Sequence, residues 1–157
     1  MGERFQYTLC HISKMGTSDP RNTTSRFVVH RHRTGRTHFD LRLVVGRLLR
    51  SWSLLKEPPS NAGEQRLAVE RESRPAEAID LETFEEEAFG PGRVWIWDEG
   101  TVEIASAGPE LLSLRFAGKK LSGAYELRLT RWYPGNRWLL KKTRLAGGRP
   151  AGTVKLP

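Results

Sequence analysis

Cysteine is nearly absent from this chain. Cys10 is the only one in 157 residues, so no disulfide can close within it and no paired-cysteine zinc motif exists. That usage suits a reducing cytoplasm. Long apolar runs are missing as well. The opening "MGERFQYTLCHISK" holds no stretch resembling a signal peptide or a membrane span, so a cytoplasmic protein is expected. Met-Gly begins the chain, yet Gln6 stands where N-myristoylation needs serine or threonine. There is no Walker loop, no dinucleotide fingerprint and no internal repeat, which removes the nucleotide-binding and solenoid classes that those patterns mark. Acid is the scarcer charge. Against 26 Lys and Arg stand 18 Asp and Glu, a net +8, and the pI is near 10.1. A surplus of that size makes nucleic acid a leading partner class, beside the plainer reading of a soluble basic domain. Histidine is scarce too, with four in the chain, of which His30, His32 and His38 crowd into one short stretch.

What is present is a strand-forming chain. Hydrophobic residues make up 38%, enough for one domain with a real core. Residues 1–25 read as an N-terminal arm that ends in the turn-rich "TSDPRNTTS". From Arg26 the pattern becomes strand-like. "RFVVHRH" and "THFDLRLVV" flank the glycine of "RTGR", and "LLRSWSLLK" follows a second tight turn at "VGR". "EQRLAVER" reads as a fourth strand and "GRVWIWDEGTVEI" as a strand pair or one long bent strand. Two more strands surround the Gly118–Gly123 turn, and "RWLLKKT" is the last. The acidic "AEAIDLETFEEEAFG" is expected to be a short helix or a loop, and residues 145–157 a flexible tail. Many short strands with glycine turns predict an all-β fold. We expect a compact β-barrel of about eight strands over 26–144, with short helical or loop insertions.

The histidine stretch gains meaning from strand alternation. On a strand over "HFDLRLVV", His38, Asp40 and Arg42 share one face while Phe39, Leu41, Leu43 and Val45 share the other. In the preceding strand His30 and His32 share a face with Val28, opposite Phe27 and Val29. A hairpin joining the two brings His32 beside His38 and Asp40. Two imidazoles and a carboxylate form a facial ligand set that leaves metal positions open for water and substrate. A metal so held lowers the pKa of bound water and polarises a phosphoryl oxygen. The competing reading makes these histidines ordinary surface residues among solvated arginines. The added H-x-D on the second strand shifts the balance towards a metal without deciding it. Arg42 lies on the same face, and Lys56 and Arg66 fall near the ends of neighbouring strands. Such cations suit a phosphoester.

In order along the chain come "FVVHRHRTGRTHFDLRL", "SWSLLKEPPS", "RLAVERESRP", "FGPGRVWIWDEGT" and "WLLKK". Together they resemble the 3′-phosphoesterase domain of bacterial DNA ligase D, over roughly residues 26–144. The resemblance implies a compact β-barrel that trims 3′ ends of DNA, removing a terminal ribonucleotide remnant or a 3′-phosphate. It implies manganese as the metal, with zinc as the alternative. On the family pattern His32, His38 and Asp40 are the metal ligands, Arg42, Lys56 and Arg66 contact phosphate, and Glu72 occupies an acidic position. The sequence departs from the family at three places. Arg74 replaces a histidine that contacts the scissile phosphate, Ala78 replaces a tyrosine, and His30 stands where glutamine is usual. Arg74 keeps a phosphate-binding cation but cannot act as a general acid near neutral pH. His30 is the candidate to replace the missing imidazole, and Asp19 and Arg21 are candidates for the family's N-terminal acidic and basic residues.

The expected activity is a metal-dependent DNA 3′-phosphoesterase for repair, in a monomeric, nucleoid-associated protein working with a separate DNA ligase and end-joining proteins. The alternative is a catalytically impaired relative that binds DNA or DNA/RNA 3′ ends, with Trp52, Trp95, Trp97 and Trp132 as stacking surfaces unless they fill the core. A third reading is a protein-interaction barrel that uses the acidic 77–87 segment.

Overall fold

Glycines fix the first two turns. Gly35 and Gly46 sit at φ +94° and +66°, in the left-handed region that side chains disfavour. Each closes a tight hairpin, so β1 (Thr23–Thr34), β2 (Arg36–Val45) and β3 (Leu48–Leu54) form a meander. A computed structural model describes residues 22–80 and 93–144. Its remaining elements are β4 (Gln65–Glu70), the two-residue β5 (Arg74–Pro75), a 3₁₀ turn η1 (Ala76–Asp80), β6 (Arg93–Ala107), β7 (Leu111–Ala117), β8 (Ser122–Leu129) and β9 (Arg137–Lys142).

The strands lie in the order β2-β1-β6-β7-β8-β9-β4-β3, and β3 pairs back onto β2. Among the described residues this is a closed antiparallel barrel of eight strands, with β5 added at the edge of β3. The expected barrel is present, and "GRVWIWDEGTVEI" lies within one long strand. β1 starts at Thr23, slightly before the expected boundary at Arg26. Of the acidic stretch, Ala76–Asp80 forms η1, buried through Ala78 and Ile79. The rest of that stretch, the tail from 145 and the arm up to residue 21 lie outside the described residues.

Alternation sends one face of each strand inward. Phe27, Leu41, Trp52, Tyr125, Leu127 and Trp138 are among the buried core. Towards the β2–β3 turn the barrel is closed by an internal ion pair. Arg50 donates to Glu70 at 2.8 Å and lies 5.0 and 5.3 Å over the rings of Trp52 and Trp138. At the other end the Tyr125 hydroxyl donates to the Pro59 carbonyl at 2.5 Å. Burial, with Glu64 nearby, pushes that phenol up to about 12.

One irregularity re-aims β6. Between β1 and β6 the register slips, so Val29 faces Asp98 while His30 faces Ile96. A bulge of this type changes which side chains point inward. Trp97 packs on the core, edge-on to Phe39 at 5.8 Å. Asp98 is buried and accepts four backbone N–H bonds, from Glu99, Lys119, Lys120 and Leu121, at 2.7–3.1 Å. It thereby locks the β7–β8 turn. Gly118 belongs to the same lock, since a Cβ there would collide with the Asp98 carboxylate and the Phe27 ring.

Candidate metal centre

The β1–β2 hairpin pairs His32 with His38 and His30 with Asp40. All four, with Arg42, occupy the outer face of the barrel wall, because Val29, Phe39, Leu41 and Leu43, which alternate with them, fill the core. Outward does not mean exposed here. His30 and His32 are 2% and 1% accessible, Asp40 is 8% and Arg42 is 7%. Part of the cover is visible in a second apolar cluster, where Ala78 and Ile79 of η1 pack on Val28 and Leu49. The wall around Val28, Val44 and Leu49 is thus covered on both sides.

His32 Nδ1 stands 3.2 Å from His38 Nε2, which is itself 3.2 Å from Asp40 Oδ2. One ligand atom from each residue lies within 4.8 Å of the other two. Ligand atoms about 2.1 Å from an ion and at octahedral or tetrahedral angles are about 3.0–3.4 Å apart. The His32–His38 and His38–Asp40 pairs have that spacing, and the three donor atoms lie within 4.8 Å of one another. A proton on His38 Nε2 can be directed to His32 or to Asp40, whereas a cation at the centre satisfies all three lone pairs at once. These three residues could together hold a divalent metal.

The electrostatics agree with that fit. Burial pushes the Asp40 carboxyl up, but hydrogen bonds from His38 and Ser53 and the charges of His38 and Arg42 outweigh it and hold it below its ordinary value. Burial pushes His32 down, and repulsion from His38 adds to this against the pull of Asp40. A carboxylate and a neutral imidazole are the forms that a metal needs. Ser53 on β3 orients the carboxylate, donating to Asp40 Oδ1 at 2.6 Å. Its hydroxyl also accepts from Arg71 Nε at 3.1 Å. Such outer partners fix ligand orientation and raise metal affinity.

The other residues singled out from sequence are spread around this centre. Arg42 is two positions along β2 from Asp40 and pairs across to Ser51. His30 is directly across the ladder from Asp40, beside the three-residue cluster. Lys56 and Arg66 line a cavity of about 310 Å³ together with Ser53, Leu67 and Val69, so Ser53 borders both that cavity and the centre. Arg66 spends part of its guanidinium on the Glu57 and Gln65 carbonyls, at 2.8 and 3.2 Å. Arg74 pairs with Leu49, whose β2 partner is Val44, four residues from Asp40 and about 13 Å along the strand direction. Glu72 is exposed in the β4–β5 connection. Ala78 is buried on Val28 and Leu49 and offers no side-chain polar atom. Cys10, Asp19, Arg21 and residues 81–87 lie outside the described residues.

Ser53 and Arg71 were not anticipated from the sequence. Their signal was present: Ser51 and Ser53 in "SWS" share the outward parity of β3, and Arg71 ends the run "RLAVER".

Comparison with known proteins gives these residues a setting. Residues 30–129 match the model of the DNA ligase D 3′-phosphoesterase domain. A multifunctional non-homologous end joining DNA repair protein LigD from Mycobacterium tuberculosis is 32% identical over 125 residues, covering 75% of this chain and 16% of that protein. The multifunctional non-homologous end joining protein LigD of Pseudomonas aeruginosa is 33% identical over 126 residues, 76% of this chain and 15% of its own length. The corresponding protein of Mycolicibacterium smegmatis is 30% identical over 147 residues, 85% and 18%. The chain thus spans under a fifth of the length of these relatives. The family match runs from His30 in β1 to the end of β8 and contains the whole histidine–aspartate cluster: the chain belongs to the DNA ligase D 3′-phosphoesterase domain family.

Proposed function

We propose that this chain hydrolyses phosphoesters at the 3′ ends of DNA, releasing a 3′-phosphate or a terminal ribonucleotide remnant in preparation for joining. The observation that carries the reading is the convergence of His32, His38 and Asp40 donor atoms within 4.8 Å, in a family of 3′-phosphoesterase domains. These three residues would hold a divalent metal, manganese by preference and zinc as the alternative. When bound, that ion supplies an activated water and polarises the phosphoryl oxygens.

The chain's own residues do the rest. Ser53 holds the Asp40 carboxylate in one orientation. Arg42, fixed on the same face, neutralises charge that builds on the phosphoryl oxygens, the largest contribution expected in phosphoryl transfer. Lys56 and Arg66 attract the flanking phosphate from the neighbouring cavity. Arg74 binds phosphate but keeps its proton, so proton transfer falls to an imidazole. His30 takes that role, being buried on the same face and across the ladder from Asp40. Glu72 is exposed next to Arg71 and has a supporting part.

The setting that suits this chemistry is a cytoplasmic monomer at the nucleoid, passing trimmed ends to a separate DNA ligase and end-joining proteins. In the described residues no helix is long and apolar enough to cross a membrane. A 3′-phosphorylated primer incubated with manganese should release phosphate, and His38→Ala should abolish release. Equal rates with and without the imidazole would sink the mechanism. Arg74 and Ala78 favour a second reading, an end-binding module that has lost turnover. It requires tight, salt-sensitive binding of 3′-phosphate ends with no product under any divalent metal.

A further inference from the structure

The exposed aromatics are unevenly placed. Trp52 and Trp138 are buried in the core. Trp95 carries Arg31 at 5.5 Å over its ring and Trp97 carries Lys120 at 5.0 Å, so a face of each is already covered. Trp132 and Tyr133 differ. They are 55% and 89% accessible, in the turn between β8 and β9.

That turn is well held. Thr130 Oγ1 donates to the Arg137 carbonyl at 2.8 Å and accepts from the Trp132 amide at 3.2 Å. The Gly135 amide donates to the Trp132 carbonyl at 3.0 Å. Asn136 ties the turn to β4: the Glu70 amide donates to its carbonyl at 2.8 Å, and its Nδ2 donates to the Glu70 carbonyl at 3.2 Å. A pair of large exposed aromatics on an anchored turn presents held, open rings on which a ligand can stack.

Sheet register connects this turn to the metal centre. Asp40, Ser53, Val69 and Arg137 are successive cross-strand partners on the outer face. Three strand spacings separate Asp40 from Arg137, about 14 Å over the barrel surface. Arg71, bonded to Ser53, and the exposed Arg131 and Arg137 lie along or beside that path. Cations followed by open aromatic faces are the recurrent design for unpaired nucleic acid, where phosphates follow the charge and bases stack. The net charge of +8 is complementary to such a ligand.

We propose that the Trp132–Tyr133 turn, flanked by Arg131 and Arg137, is a stacking platform for unpaired bases a few nucleotides from the end that occupies the metal centre. The placement of that end rests on the function proposed above; the platform itself does not require turnover.

The test measures fluorescence anisotropy of single-stranded DNA oligomers ending in a 3′-hydroxyl, from a dinucleotide upward in length. Affinity for the longer oligomers should fall about tenfold in Trp132→Ala, the size of one base–aromatic stack, while Trp132→Phe keeps most of it. Dinucleotide affinity should be unchanged. In the wild type an abasic site a few nucleotides from the end should cost the same factor, and in Trp132→Ala it should cost nothing further. Arg137→Ala should lower the salt slope by about one. An unchanged affinity for long oligomers in Trp132→Ala would overturn the proposal, as would an equal loss on the dinucleotide. Phosphate release from 3′-phosphorylated primers is read separately. Absent release with an intact length dependence overturns the enzyme and leaves the platform, and release with a KM insensitive to both length and Trp132 does the reverse.

Discussion

Asp40 and Asp98 are both buried, at 8% and 6% accessibility, and both have a carboxyl held below its ordinary value against the cost of burial. Their partners differ. Asp98 is surrounded by four main-chain amides that lock a turn. Asp40 is surrounded by side chains: a histidine at 3.2 Å, a serine at 2.6 Å and, through that serine, an arginine. Main-chain amides saturate a carboxylate permanently. Side-chain donors can yield their place to a cation. Burial with a depressed pKa therefore does not identify a site in this molecule, and the nature of the partners does.

The contrast is broken most directly at Asp40. Asp40→Asn should lower metal-supported phosphate release by about a thousandfold or more, since a ligand is lost along with the charge. Its melting temperature in the absence of metal should fall less than that of Asp98→Asn. A loss as large as that of Asp98→Asn would make Asp40 a second structural lock.

Asp98→Asn should do the opposite. An amide nitrogen would point at donors that the carboxylate accepted, and stability should drop by about 3 kcal/mol in chemical denaturation. Activity per folded molecule should persist. A folded, stable variant with lost turnover would move Asp98 into the site.

Ser53→Ala tests whether Asp40 needs its outer partner. The hydroxyl fixes Oδ1 while Oδ2 faces the histidines. Its loss should weaken metal affinity by about 10- to 100-fold, measured by calorimetric titration, with a smaller effect on stability. Unchanged affinity would show that packing alone orients the carboxylate.

These differences were unequally legible in the sequence. His32 and His38 are equidistant from Gly35, so a tight turn there pairs them with no further information. Alternation in "HFDLRLVV" then fixes which side is polar, and the barrel follows from the number of short strands. Ser53 and Arg71 were harder because their link to Asp40 depends on the registers of β3 with both β2 and β4. Arg66 is in the expected region, but its nitrogens bond to local carbonyls that no spacing rule reveals. Asp98 was invisible as a lock. The slip beside Trp97 turns it inward, and three of its four donors come from a turn about twenty residues later.

The smallest effect expected is in the acid limb of stability, and it separates the two aspartates again. Each carboxyl titrates below its ordinary value of 3.8 in the folded chain. A depressed carboxyl stabilises fully above the unfolded pKa, and that contribution is lost as pH falls through the folded one. Asp98→Asn should therefore flatten the fall of stability below about pH 4 in the metal-free protein. Asp40→Asn should flatten it too, so metal-free titration alone does not distinguish them. Manganese does. Bound only by the folded chain, it should add stability near neutral pH by mass action. That increment should fade on acidification, because protons compete for the ligands. Asp98→Asn should retain the increment with its pH dependence, and Asp40→Asn should lose it at every pH. An increment that survives in Asp40→Asn would place the ion elsewhere on the barrel and remove the distinction between the two carboxylates.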